Sequence, residues 1–226
     1  MRVYKYRSNY NRDIKLLSKS LIFAPCRKML NDPFEGLISP NLFEKFSINE
    51  NNSIPSEYEQ ILTTIIDLLK YFEKNGIYSL SRKWNNELLW AHYSNSHKGY
   101  CIEYELDELL LNKKEEDLFP EIINVEYSRR LPFSSMRDLK YKNDKNELIK
   151  LFFGNKSMKW NYEQEVRVIF GDDGKQKINE KSIKSIIFGI NASENDIIKT
   201  MAQMSNKINY FKIELMNDCN LHKCRL

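Results

Sequence analysis

The chain is poor in the residues that hold metals or build disulfide frameworks. Four cysteines, Cys26, Cys101, Cys219 and Cys224, and three histidines are spread over 226 residues. No CxxC pair occurs among them, so neither a zinc cluster nor a disulfide scaffold has its ligands, and free thiols are expected. No apolar run approaches the roughly 20 residues needed to cross a bilayer. The opening Met1-Arg2-Val3-Tyr4-Lys5-Tyr6-Arg7 lacks the apolar core of a signal peptide, so a cytoplasmic location is expected. No GxGxxG and no P-loop is present, which argues against a dinucleotide-binding Rossmann domain and a phosphate-cradling NTPase. A net charge of +4 is too mild to identify a nucleic-acid binder. Only the segment 129–145, with Arg129, Arg130, Arg137, Lys140, Lys142 and Lys145, offers a possible nucleic-acid contact, and Asp138 and Asp144 interrupt it.

What remains is an ordinary globular composition, 42% hydrophobic and 29% charged, long enough to bury a core without staples. A single domain over 1–226 is expected. Alternation predicts strands at Val3–Tyr6, Leu21–Ala24, Ile77–Ser81, Tyr100–Tyr104, Ile122–Tyr127, Val166–Phe170, Ser185–Phe188 and Tyr210–Leu215. Helical spacing predicts helices over Asp13–Ser18, Tyr58–Phe72 after a Ser56/Glu59 capping box, Glu87–Ser96, Lys145–Phe153 and Glu194–Met204. Strands interspersed irregularly with helices read as an α+β fold rather than a doubly wound parallel sheet.

Two segments concentrate residues that carry chemistry. Glu163 and Glu165 precede an alternating strand, so both carboxylates project to one side, with Arg167 on the face of Glu165 as the cation between them. The competing reading is a structural Glu–Arg pair on a sheet. In the segment 76–101, Ser79 and Ser81 share one strand face and Tyr78 takes the other. Beyond them Trp90, Tyr93 and His97 fall at i, i+3 and i+7 of a helix, an aromatic face suited to a flat ring or, equally, to core packing. Leu30-Asn31-Asp32-Pro33-Phe34-Glu35 is a turn that lines or closes the same pocket.

The blocks Leu30–Glu35, Leu88-Leu89-Trp90-Ala91-His92-Tyr93 with His97, Gly99 and Cys101–Tyr104, and Trp160-Asn161-Tyr162-Glu163-Gln164-Glu165-Val166-Arg167 resemble the bacterial family called domain of unknown function 2971. That resemblance supplies no reaction. Gly76-Ile77-Tyr78-Ser79-Leu80-Ser81, followed by Tyr93, is similar to the nicotinamide-binding stretch of ADP-ribosyltransferases. This second resemblance implies a split, mostly antiparallel sheet with flanking helices, and NAD as substrate with no metal. It implies a first-strand cation, Arg7 or Lys5, that holds NAD. It assigns Tyr78 with Glu165 and Glu163 to catalysis, and Ser79, Ser81, Trp90, Tyr93 and His97 to the NAD pocket. The activity implied is mono-ADP-ribosyl transfer to a protein, tRNA or DNA, with a toxin or phage-defence effector as the context suggested by analogy. Two other classes fit the same residues: a non-catalytic nucleotide- or nucleic-acid-binding module, and a metal-dependent nuclease using Glu163, Glu165 and Asp32.

Overall fold

The computed structural model describes residues 1–32, 63, 67, 70, 73–110, 119–129, 149–150, 152–204, 208–216 and 220–226. In chain order these form β1 (Arg2–Arg7), α1 (Tyr10–Leu17), β2 (Leu21–Ala24), β3 (Gly76–Ser81), α2 (Glu87–Tyr93), β4 (Tyr100–Glu105), β5 (Glu121–Asn124), β6 (Glu126–Ser128), β7 (Asn155–Ser157), β8 (Glu165–Phe170), β9 (Gly174–Lys177), β10 (Ile183–Phe188), α3 (Glu194–Gln203), β11 (Asn209–Leu215) and β12 (Leu221–Arg225). A 3₁₀ helix, Met158–Glu163, leads into β8. Of the sequence-predicted helix over Tyr58–Phe72, Thr63, Asp67 and Lys70 are helical and exposed, and the rest lies outside the described residues. Pro33–Glu35, Cys219 and almost all of the basic segment 129–145 also lie outside them.

An eight-stranded sheet runs in the order β12-β11-β10-β4-β1-β3-β8-β5. Every neighbouring pair is antiparallel except β10–β11. A parallel pair needs a crossover, and α3 supplies it. The fold is thus α+β, mixed helix and sheet with a large, mostly antiparallel sheet. The sequence reading does not include β12, nor β7 and β9, whose residues Asn155-Lys156-Ser157 and Gly174-Lys175-Gln176-Lys177 carry no apolar alternation to announce a strand.

The period-2 pattern of β1 divides the core. Val3 joins the larger cluster with Ile14 and Leu17 of α1, Tyr78, Leu80, Ile102, Val168, Phe188 and Ile197 of α3. Tyr4 and Tyr6 join the other, with Leu89 and Trp90 of α2, Cys101 and Ile187. Each face of the sheet therefore has its own helical cover, which is why the central strands are buried on both sides.

Two local features fix the end of β1. The sequence pattern carries α2 to Ser96, but the helix stops at Tyr93 and the chain passes through three consecutive left-handed residues, Asn95, Ser96 and His97 (φ 51°, 53° and 64°). Each costs on the order of 1 kcal/mol for an L-residue. The turn is held by Gly99 N–H donating to Ser94 O (2.7 Å) and Asn191 N–H donating to His97 O (3.0 Å). Gly99 then lies so close to β1 that a Cβ would stand 2.1 Å from the Arg7 carbonyl oxygen. Gly99→Ala is expected to push the Arg7 backbone away and cost about 1–3 kcal/mol, lowering the melting temperature by about 5 °C in thermal denaturation.

Candidate functional site

β1 and β3 are neighbours, yet their ladder has a single register pair, Tyr4 with Ser81. By contrast, β1 pairs with β4 along all six of its residues, and β3 pairs with β8 along all six of its own. Backbone groups freed where β1 and β3 part need other partners. One is found by a side chain: Lys5 Nζ donates to the Ser79 carbonyl at 2.6 Å. At this gap sits a cleft of about 490 Å³, lined among others by Lys5, Arg7, Ser79, Ser81, Glu163 and Glu165. Strand alternation alone would put Lys5 and Arg7 on the opposite face from Ser79 and Ser81; the gap lets both sets reach one space.

The acidic wall is built by the end of the 3₁₀ helix. Gln164, left-handed at φ 46°, caps it. The surrounding backbone is pinned from several sides. Ser81 Oγ donates to Glu163 O (2.7 Å), Asn86 Nδ2 donates to Tyr162 O (2.7 Å), and Glu165 N–H donates to Tyr127 Oη (2.8 Å). Both glutamates are buried. Glu163 accepts from Tyr93 Oη at 2.6 Å and from Lys156 Nζ at 2.5 Å. Glu165 Oε2 accepts from Arg167 Nη2 at 2.7 Å and from Lys156 Nζ at 3.3 Å. The shared side of the two carboxylates, predicted for an extended chain, is thus realised through a left-handed residue and a lysine that bridges them.

Electrostatics follow from these contacts. Burial opposes ionisation of Glu165, but Arg167 and then Lys156, with hydrogen bonds from Arg167 and Ser79, hold its carboxyl at about 2. It is therefore an anion at every physiological pH. Burial and then the Glu163 charge push the Tyr93 phenol well above its ordinary value, so it remains a hydrogen-bond donor. On the opposite wall, burial and the neighbouring Arg7 guanidinium bring the Lys5 ammonium down to about 7, against the pull of Glu165, Asp13 and Glu163.

Of the sequence-predicted site residues, Lys5, Arg7, Ser79, Ser81, Tyr93, Glu163 and Glu165 converge on this cleft, together with Leu30 and Asn31 of the turn. Tyr78, Trp90 and His97 are not among its lining residues. Tyr78 is packed in the core, 1% exposed, with its hydroxyl 3.1 Å from that of Tyr104 and its ring beneath Lys5 and Arg7. Trp90 is fully buried, donating from Nε1 to Trp84 O (2.7 Å), with its ring edge-to-face on Tyr6 and stacked on His97. Only Tyr93 of the predicted aromatic face reaches the cleft, because α2 packs that stripe against the sheet. Sequence reasoning missed Lys156, Asp13 and Arg12 and named His92 only within a motif block, though all four line the cleft. Asp32 is buried, and among the described residues no group of three acidic, histidine or cysteine side chains is placed to hold a metal ion.

The model of a family described as a protein of unknown function (DUF2971) matches residues 89–168. The matched stretch, from Leu89 in α2 to Val168 in β8, carries the second motif block except Leu88 and all of the third, and supports the family resemblance drawn from them. Neither a curated protein nor a solved structure matches the chain.

Proposed function

We propose that this chain, similar to the DUF2971 family over residues 89–168, binds NAD in the β1–β3 cleft and transfers its ADP-ribose to a macromolecular acceptor. The observation that carries the reading is the convergence of three neighbouring strands on one space: a cation from β1, hydroxyls from β3 and a carboxylate from the start of β8. The resemblance to ADP-ribosyltransferases implies a split, mostly antiparallel sheet with a cation on the first strand, hydroxyls on a middle one and a Glu opening a late one, and the single register pair between β1 and β3 supports that reading.

Breaking the nicotinamide–ribose bond develops positive charge on the ribose. A fixed anion aimed at that charge lowers the barrier because it needs no reorganisation during the reaction. Glu165 fits this role: it is ionised throughout and is held on two sides by Arg167 and Lys156. Ser79, hydrogen-bonded to Glu165, steadies it. Arg7, a permanent cation lining the cleft, is the anchor for the diphosphate. Tyr93 packs the nicotinamide ring and Glu163, whose orientation Tyr93 and Lys156 set, accepts the proton of the incoming acceptor.

The test is release of free nicotinamide from NAD by purified protein, alone and with cell extract, beside Glu165→Gln. Release that falls at least a hundredfold in the variant, with its fold intact by circular dichroism, supports the reading. No release by the parent protein, with NAD still bound in calorimetry, would make the cleft a nucleotide-binding site without transfer.

A further inference from the structure

The cleft contains an amine that the transfer reaction leaves without a chemical task. Lys5 Nζ lies over the Tyr78 ring, 4.9 Å from its centroid, and its hydrogen bond goes to a neutral carbonyl, Ser79 O. Among the described residues no carboxylate lies within ion-pair distance of it, whereas Lys156 has both glutamates. Its neighbour two positions along β1, Arg7, shares the same ring at 5.6 Å, so two cations sit against one aromatic ring. Arg7 and Arg12 have Asp13 instead, at 3.7 and 2.7 Å. The charged and titratable groups that bear on Lys5 are therefore Arg7 from its own strand, Asp13 from α1, and Glu163 and Glu165 from the opposite wall.

A lysine that is half-buried over an aromatic ring, has no carboxylate at ion-pair distance and sits beside a guanidinium is the kind of amine that enzymes use as a carbonyl nucleophile. We propose that Lys5 is a covalent site for small anionic aldehydes and ketones, which enter the cleft, are drawn by Arg7 and Arg12, and condense with its Nζ. The step balances without an added oxidant or reductant. The Nζ lone pair forms a carbon–nitrogen bond, the two hydrogens of the neutral amine pass to the carbonyl oxygen, which leaves as water as its bond to carbon breaks, and a neutral imine remains. The depressed proton affinity of Lys5, about 7, keeps a large share of it as free amine at neutral pH. This proposal is independent of NAD chemistry, although an imine at Lys5 would occupy the cleft proposed for NAD.

The probe is pyridoxal 5′-phosphate, an aldehyde that carries a phosphate, followed by borohydride reduction and peptide mapping. Lys5 is expected to be labelled at least tenfold faster at pH 7.5 than any other lysine. The label is expected to vanish from that peptide in Lys5→Arg, and to fall several-fold in Arg7→Gln, which keeps the amine and removes its cationic neighbour. Pyridoxal without the phosphate should label Lys5 more slowly. Labelling spread evenly over surface lysines, or none at Lys5 in a folded parent protein, overturns the proposal. Equal labelling by the phosphorylated and unphosphorylated probes would also overturn it, since it would show that the cleft does not select an anion. Nicotinamide release is a separate readout, so failure here leaves the NAD reading to its own test.

Discussion

Lys156→Met is expected to be the most destabilising single substitution at the site, by about 3–5 kcal/mol, the usual cost of removing one partner from a buried ion cluster. The side chains of Lys156, Glu163 and Glu165 are only 4%, 4% and 7% exposed, so water cannot replace the missing ammonium. Glu165 would retain Arg167. Glu163 would keep only the Tyr93 hydroxyl among these partners. The measurement is urea denaturation of the parent protein, Lys156→Met, Glu163→Gln and the double variant. Removing the Glu163 charge should restore much of what Lys156→Met loses, because a neutral amide beside Tyr93 needs no counter-ion; the coupling energy of the cycle should be at least 1 kcal/mol. Strictly additive effects would mean that the two groups do not hold each other. Lys156→Arg should retain most of the stability, since a guanidinium can still span both carboxylates.

The second large effect is a dependence of stability on pH that runs through Lys5. Its ammonium is brought from an ordinary 10.5 to about 7 in the folded protein. Between these values the unfolded chain binds a proton that the folded chain does not, so unfolding takes up a proton and stability rises with pH. Below pH 7 both states are protonated, and the folded state carries the full cost of burying the cation. Lys5→Met should therefore stabilise the protein at pH 6, on the order of 2 kcal/mol after allowing for the lost hydrogen bond to Ser79. The advantage should shrink as the pH is raised toward 9. Denaturation of both proteins at pH 6, 7.5 and 9 checks this. Measurements should stop short of pH 10, where buried tyrosines such as Tyr6 and Tyr104, pushed above their ordinary value by burial, favour the unfolded chain. A constant difference at all three pH values would show that Lys5 keeps an ordinary proton affinity.

The strands of the central sheet were legible because their side-chain period is 2 and their faces are buried: Val3–Tyr6, Ile77–Ser81 and Val166–Phe170 all lie within observed strands. The contact of Arg167 with Glu165 was legible for the same reason, since i and i+2 share a strand face, but the cation expected between the two carboxylates is Lys156 and not Arg167. The aromatic stripe of α2 could be read as a periodicity but not as a destination. Trp90, Tyr93 and His97 have the same spacing whether they face a core or a cleft, and only the packing of α2 on β1 and β4 sent Trp90 inward and left Tyr93 at the acidic wall.

Local spacing along single segments was enough to place most of the strands, the Glu163–Glu165 pair and the hydroxyl face of β3, and the interspersed strand and helix periods were enough for the α+β class. Three things were decided only by the tertiary structure: that β1 lies between β4 and β3, that it parts from β3 after one pair to open a cleft, and that Lys156 comes from a short strand to bridge the two glutamates. These depend on contacts between segments far apart in the chain. No local periodicity encodes which strands become neighbours, or which of many lysines is buried with a carboxylate; burial and charge compensation settle that only when the whole sheet has formed.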